Sequence, residues 1–126
     1  MGDPAPGALQ ADVTPSSSDA SLTGAWVRLV MATPADFTGR TISAWAWLDS
    51  GQSPHLKTFV QTGAMYEWAD NGTLFLPLHQ WTCVSLPVST PSYSQPAYDP
   101  TKVVALGFEM LGTEPFRLFI DSVRYY

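Results

Sequence analysis

Charged residues are scarce in this sequence, and the balance between the two signs is acidic. Asp, Glu, Lys and Arg make up 13% of the 126 residues, with 6 basic against 11 acidic side chains and a formal net charge of −5. Soluble domains usually carry about 25% charged residues. So few Lys and Arg cannot neutralise a run of phosphates or bind an anionic membrane surface. We therefore expect neither a nucleic acid nor a membrane as a partner.

Cysteine and long apolar segments are also lacking. The single cysteine, Cys83, cannot form an internal disulfide. No apolar run reaches the roughly 18 residues that span a bilayer. The first residues, MGDPAPG, have neither the basic nor the apolar region of a signal peptide. Two interpretations remain open: the protein is cytoplasmic, or the sequence is a domain taken from a larger secreted protein.

The usual signatures of catalysis and cofactor binding are missing as well. The sequence has no P-loop, no dinucleotide fingerprint, no zinc-like Cys/His spacing and no nucleophile elbow. The two histidines, His55 and His79, are predicted to be solvated loop residues. No pair of carboxylates has a spacing that favours glycoside hydrolysis. We predict that the chain is not an enzyme, with a small glycoside hydrolase or lyase as a minor alternative.

Short apolar stretches separated by turn signals fill most of the chain. The sequence contains 9 Gly and 11 Pro, and no helical period lasts beyond a few residues. This pattern predicts an all-β fold, a jelly-roll β-sandwich of two antiparallel sheets with roughly nine strands. We find no repeat and no second domain. Residues 1–126 are therefore predicted to form one domain, with residues 1–7 as a disordered or vector-derived start.

The predicted strands lie at 8–13, 25–31, 41–48, 56–62, 64–69, 73–78, 81–88, 103–110 and 115–126. Asn71-Gly72 predicts a tight hairpin, because both residues readily adopt positive φ angles. The proline-rich segment 87–100 is predicted to be a functional or ordered surface loop. Trp81 is predicted to lie in the core, and Trp26 fits either layer.

Aromatic side chains give the most informative pattern. In TISAWAWL, strand alternation separates the small and aliphatic residues from Trp45 and Trp47, and in AMYEWA it puts Tyr66 and Trp68 on one face. If the aliphatic residues are buried, the tryptophans form an exposed platform of the kind that marks a binding site. The opposite assignment, with Trp45 and Trp47 in the core, differs by a register shift of one residue.

Pyranose sugars suit such a platform. Their axial C–H groups stack on aromatic rings, while their hydroxyls need amide and carboxylate partners. The candidate polar partners are Gln61, Glu67, Asp70 and Glu109.

The order of the motifs resembles bacterial carbohydrate-binding modules, the β-sandwich domains appended to secreted plant-polysaccharide hydrolases. The resemblance rests on DFTGRTISAWAWLDSG, KTFVQTGAMYEWAD, HQWTCVSLPV, YDPTKVVALGFEM and FRLFIDSVRYY. It implies a glycan groove on one sheet, with Gln61, Tyr66 and Trp68 as contacts. It also implies an extracellular, non-catalytic role in which the module targets an attached glycoside hydrolase to a β-linked glucan, xyloglucan, xylan or mannan.

The resemblance also implies a structural Ca²⁺ site that uses the Asp of the last strand, here Asp121 in IDSV. The acidic first strand that usually completes this site has no match in the sequence, which leaves Asp3 and Asp12 as candidate partners. The alternative for Asp121 is a carboxylate that caps backbone amides. The alternative for the whole chain is a structural accessory domain that packs on a catalytic domain and binds no sugar.

Overall fold

The computed structural model describes residues 7–16 and 23–126, which form two antiparallel β-sheets with one short 3₁₀ helix. The predicted all-β sandwich is therefore confirmed, and residues 1–6 of the predicted start lie outside the described residues. The elements are β1 (Leu9–Val13), β2 (Thr23–Ala35), β3 (Thr41–Gly51), β4 (His55–Thr62), β5 (Glu67–Asp70), β6 (Thr82–Pro87), β7 (Tyr93–Ser94), the 3₁₀ helix (Pro100–Lys102), β8 (Val103–Gly112) and β9 (Phe116–Tyr125).

Most neighbouring strands in each sheet are distant in sequence. The four-stranded sheet has the order β1-β9-β3-β6, and the five-stranded sheet has the order β2-β8-β4-β5-β7. The chain passes from one sheet to the other after β1, β2, β3, β5, β6 and β8. These crossings are typical of Greek-key and jelly-roll sandwiches, in which each sheet buries one face against the other.

The core lies between the two sheets and follows strand alternation. On β3 the inward residues are small or aliphatic, and all four are buried: Ile42, Ala44, Ala46 and Leu48. The facing side chains of the five-stranded sheet include Leu56, Val60, Phe108 and Met110. The structure thus confirms the predicted faces of β3 and leaves Trp45 and Trp47 on its outer side.

Two predicted elements differ from the structure. Segment 73–78 is no strand: it makes single bridges from Leu74 to β4 and from Leu78 to β3, because it crosses from one sheet to the other. Gly72 has a positive φ (81°), but its N–H donates to the Asp70 carboxylate (2.7 Å), so the turn starts this crossing rather than a two-residue hairpin.

The segment between β6 and β8 is ordered, as predicted. Its short strand β7 pairs with β5 at the edge of the five-stranded sheet. The Tyr98 hydroxyl donates to the carbonyl of Val88 (2.6 Å), and Thr62 Oγ1 accepts from the Asp99 backbone N–H (3.0 Å). Within residues 7–16 and 23–126, no helix is both long enough and apolar enough to cross a bilayer.

Candidate functional site

The outer face of the five-stranded sheet collects aromatic and polar side chains from four strands and one turn. Along each strand these residues alternate with the residues that face the core. The register of the paired strands then places them side by side on the outer face. We call this surface the aromatic face. It comprises Trp26 and Arg28 on β2, Glu109 on β8, Lys57, Phe59 and Gln61 on β4, Trp68 and Asp70 on β5, and Tyr66 in the β4–β5 turn.

Three rings form the centre of this face. Phe59 is fully buried, and Trp68 stacks on it with a centroid separation of 4.3 Å and an interplanar angle of 15°. The Trp26 ring lies 5.5 Å from Phe59 and 6.2 Å from Trp68 and is tilted toward both. Trp26 is nevertheless 51% exposed. The cluster therefore exposes the Trp26 ring to solvent, while the stacked Phe59 and Trp68 rings beneath it are held by packing.

A glycine on β8, Gly107, makes room for these rings. Gly107 is the cross-strand neighbour of both Arg28 and Phe59, so it occupies the floor between β2 and β4. A Cβ atom at this position would lie 2.8 Å from Arg28 Cα and 2.9 Å from Phe59 Cζ, which is closer than real Cβ contacts. The absence of a side chain at Gly107 thus lets the rings lie across the strand.

Asp70 positions the Trp68 ring. The Trp68 indole N–H donates to Asp70 Oδ2 (2.7 Å), and Oδ1 of the same carboxylate accepts from the Gly72 backbone N–H (2.7 Å). The Trp68 backbone N–H donates to Gln95 Oε1 (2.6 Å). Asp70 is only 4% exposed. Both of its oxygens are engaged, so its role is to orient the indole.

Arg28 connects the aromatic rings with the buried amide of Gln61. Its Nη1 donates to Gln61 Oε1 (2.7 Å), and its guanidinium lies 5.0 Å from the Trp26 centroid and 5.1 Å from the Tyr66 centroid. Tyr66 ends the turn after β4 in the left-handed region (φ 53°), which is uncommon for a bulky residue. Such a conformation often marks a functional position.

A shallow cavity of about 460 Å³ lies beside Trp68. Its walls include Lys57, Trp68, Asp70, Tyr93 and Glu109. Lys57 and Glu109 are directly opposite each other on β4 and β8. The cavity offers a donor and an acceptor beside a ring face, which is the combination that a sugar with both C–H and hydroxyl groups requires.

The structure brings together five of the eight predicted ligand-binding residues, namely Gln61, Tyr66, Trp68, Asp70 and Glu109. It separates the other three. Alternation along β5 places Glu67 on the same side as buried Ala69, opposite Trp68. A binding role for Glu67 stays a prediction that the aromatic face does not need.

Trp45 and Trp47 lie on the outer face of the four-stranded sheet, on the other side of the molecule. Trp47 is only 9% exposed and packs against Trp81 (5.5 Å) and His79 (6.0 Å), so Trp81 belongs to this outer layer and not to the core. The single row of four rings expected from the sequence is not formed, because alternation fixes the face of a strand but not the sheet to which it belongs. Binding by Trp45 and Trp47 stays a prediction and would need a second surface.

Sequence reasoning missed Trp26, Arg28, Phe59, Lys57 and Tyr93 as members of the site. A signal was present for some of them. Alternation in AWVRLVM pairs Trp26 with Arg28, and alternation in LKTFVQT pairs Phe59 with Gln61. Their neighbours across the sheet come from register, which a single sequence does not show.

The predicted metal residue Asp121 lies on the outer face of the four-stranded sheet, opposite Trp45. Its carboxylate accepts a hydrogen bond from the Ser122 backbone N–H (2.6 Å). Asp12 pairs with Arg117 (2.5 Å), and this hydrogen bond holds the pKa of Asp12 below its usual range. Asp3 lies outside the described residues.

Calcium takes six to eight oxygen ligands. Over residues 7–16 and 23–126, no group of three or more His, Cys, Asp or Glu side chains comes together. The described residues around Asp121 therefore do not fit a calcium site. Such a site stays a prediction that needs donors from elsewhere, and a chelator titration followed by melting temperature tests it, because an ion held only by the folded state raises stability.

Comparison with known proteins finds similarity in structure. No protein-family model matches the sequence, and no curated protein matches it in sequence. A structure of an exo-β-agarase matches with a TM-score of 0.72 at 11% identity and covers 94% of this chain, which spans 20% of the agarase chain. A family 30 carbohydrate-binding module from a cellulosomal cellulase of Clostridium thermocellum matches with a TM-score of 0.63 at 14% identity, over 94% of this chain and 73% of that one.

A CBM4 structure matches with a TM-score of 0.57 at 18% identity, over 96% of this chain and 84% of that chain. At these identities the similarity is one of fold. The β-sandwich that the motifs predicted is therefore confirmed as one that carbohydrate-binding modules share.

Proposed function

We propose that this chain is a non-catalytic carbohydrate-binding module that binds a β-linked plant cell-wall polysaccharide along the aromatic face. In this proposal it is secreted as part of a larger enzyme and targets the attached glycoside hydrolase to glucan, xyloglucan, xylan or mannan. The observation that carries the proposal is the half-exposed Trp26 ring above a packed Phe59–Trp68 stack. A fold shared with carbohydrate-binding modules supports it.

Binding would combine stacking with hydrogen bonds to hydroxyl groups. The exposed ring of Trp26 and the edge of Trp68 face the apolar side of sugar rings, while Lys57 and Glu109 supply a donor and an acceptor in the adjoining cavity. The rings are held before the ligand arrives, so little ordering entropy is lost on binding. An open site of this kind is expected to bind in the micromolar-to-millimolar range, about 4 to 8 kcal/mol.

The carboxylates of this face support a non-catalytic role. Glycoside hydrolysis in most families uses two carboxyl groups that flank the scissile bond. Asp70 is nearly buried, and both of its oxygens are bound to Trp68 and Gly72. Glu109 is then the one carboxylate of the aromatic face that is free to act on a ligand.

Affinity gel electrophoresis tests the proposal. The protein is run beside a non-binding control in gels that contain β-glucan, xyloglucan, xylan, glucomannan, galactomannan or pectin. Retardation by one or two of these polymers, with no release of reducing sugar, is the expected result and identifies the backbone sugar. Migration equal to the control in every gel would contradict the proposal.

Replacing Trp26 with Ala tests the site itself. Trp26 is half-exposed on an edge strand, so its removal should leave the melting temperature nearly unchanged. We expect affinity for the retarding polymer to fall about thirtyfold, which corresponds to the roughly 2 kcal/mol typical of tryptophan hot spots. Tyr126→Ala is the matched control, because Tyr126 is 66% exposed and pairs with Thr41 beside the four-stranded sheet.

A second candidate function is a structural accessory domain that packs on a catalytic domain. It is favoured by the aromatic layer on the outer face of the four-stranded sheet, in which Trp47 is buried and Trp45 and Trp81 are partly exposed. This function predicts no retardation in any gel, and it predicts that the melting temperature of the attached catalytic domain falls when the module is deleted.

A further inference from the structure

Among the described residues, Arg28 on the aromatic face has no acidic partner. The ion pairs there are Asp99–Lys102 and Asp12–Arg117, and neither lies on this face. Arg28 is exposed, and within residues 7–16 and 23–126 its guanidinium forms one hydrogen bond, to the neutral amide of Gln61. A guanidinium has five N–H donors, so most of the donors of Arg28 remain available to a ligand.

In the part of the chain that the structure describes, the acidic groups of the aromatic face form no ion pair with Arg28. Asp70 uses both oxygens for Trp68 and Gly72. Glu109 is directly opposite Trp26 on β2 and Lys57 on β4, and it lines the cavity with Lys57. The residue opposite Arg28 itself is Gly107, which has no side chain. The positive charge of Arg28 is therefore compensated only at a distance.

The Arg28 side chain is also held in place. Two aromatic rings lie about 5 Å from its guanidinium, and Gln61, which receives its hydrogen bond, is only 6% exposed. Cation–π contacts and a bond to a buried amide fix the orientation of the planar fork at the surface where a sugar would stack. A fork of this kind matches the two oxygens of a carboxylate.

From this arrangement we propose that Arg28 binds the carboxylate of a uronic acid, so that the glycan recognised by the aromatic face carries acidic sugars. The proposal rests on the proposed function of that face. Trp26 and Trp68 stack on the sugar rings, and Arg28 donates two parallel hydrogen bonds to the carboxylate of a ring or side branch. A sulfate ester has related oxygens, and the experiment separates the two anionic groups.

Paired ligands provide the test. Binding of the intact protein is measured for glucuronoxylan and for β-1,4-linked polyglucuronate, each beside its carboxyl-reduced form, in which the acid is an alcohol and the backbone is unchanged. We expect at least one acidic polymer to bind about tenfold more tightly than its reduced form, about 1.4 kcal/mol. This difference should shrink as salt is raised from low to physiological concentration, because the pair is exposed.

Substitution of Arg28 then assigns the effect. Arg28→Gln should abolish the preference, so that the acidic and reduced polymers bind equally, whatever the change in affinity for the reduced form. A purely structural role of Arg28 would instead lower both affinities by the same factor and keep the preference, which would overturn the proposal. Lys102→Gln is the charge-matched control, because it removes one positive charge at an exposed site paired with Asp99, and it should preserve the preference.

The remaining outcomes are also decisive. Equal binding of acidic and reduced polymers by the unaltered protein overturns the uronate proposal and leaves the carbohydrate-binding function standing. A sulfated xylan that binds as tightly as glucuronoxylan overturns the assignment of a carboxylate. Failure of all polymers, acidic and neutral, overturns the proposed function itself. Glu109→Gln should strengthen the preference for acid, because it removes the nearest negative charge on the neighbouring strand.

Discussion

At the scale of single residues, hydrogen bonds to and from side chains keep the aromatic face in shape. Asp70 orients the Trp68 indole, Gln95 holds the Trp68 backbone, and Thr62 on β4 accepts from the Asp99 N–H and so ties the segment after β6 to the five-stranded sheet. These three bonds come from two sequence regions that meet only in the folded chain. A ligand thus finds ring positions that the protein fixes beforehand.

Tyr98 gives a prediction that depends on pH. Burial, with a smaller contribution from the charge of Asp99, raises the pKa of Tyr98 to about 12. A raised pKa in the folded state means that the stabilisation is complete below the unfolded value of about 10 and is lost as pH rises from 10 to 12. We expect unfolding by urea to show this loss of stability over that interval.

Tyr98→Phe is the matched variant for this test. It removes the hydroxyl that donates to Val88 and should cost about 1 kcal/mol at neutral pH. It should also remove part of the fall in stability above pH 10. A variant with the same alkaline profile as the unaltered protein would show that other tyrosines are responsible.

Residue-level reasoning from the sequence recovered part of the candidate site. Gln61, Tyr66 and Trp68 were predicted from motifs and alternation, and the structure places them on one surface. Trp45 and Trp47 were assigned the correct face of their strand but lie on the other sheet. The sheet to which a strand belongs depends on long-range pairing, so no local pattern reveals it.

At the scale of elements, strands with strong alternation were predicted best. β3, β4 and β8 each fall within a few residues of their predicted limits, because one face is apolar. Segment 73–78 has the same apolar composition but bridges both sheets, and its Pro77 lacks the N–H that a ladder needs. Apolar content alone did not distinguish a strand from a buried crossing.

Strand β8 gives the prediction at this scale. Gly107→Ala would place a methyl group against the Val27 carbonyl oxygen, the Arg28 backbone and the Phe59 ring, so β2 must move away from β8. We expect a fall of about 1 to 3 kcal/mol in the free energy of unfolding, as for overpacked positions, together with weaker glycan binding.

Gly112→Ala on the same strand is the control for this prediction. A Cβ at Gly112 would meet its nearest neighbour, Phe116 Cε1, at 3.5 Å, which is ordinary van der Waals contact. This variant should therefore fold and bind like the unaltered protein. Similar losses in Gly107→Ala and Gly112→Ala would mean that β8 tolerates no added methyl group, and the special role of Gly107 would be refuted.

At the scale of the whole molecule, the sandwich separates two aromatic surfaces by its own thickness. Trp26 and Trp68 belong to the five-stranded sheet, whereas Trp45, Trp47 and Trp81 lie on the opposite side. Sheets packed face to face are about 10 Å apart, so one bound glycan on the aromatic face cannot contact the other set. The fluorescence of each group of tryptophans therefore reports ligand binding on its own face of the sandwich.

Quenching of tryptophan fluorescence by acrylamide uses this separation. A bound polysaccharide should protect Trp26 and Trp68 and leave quenching of the other three unchanged. The protection should therefore disappear in a Trp26→Phe, Trp68→Phe variant, in which a phenyl ring replaces each indole and these two fluorophores are lost. If a bound glycan still protects the remaining tryptophans in that variant, Trp45, Trp47 or Trp81 contacts sugar. The outer face of the four-stranded sheet would then be a binding surface, as the sequence pattern of β3 first indicated.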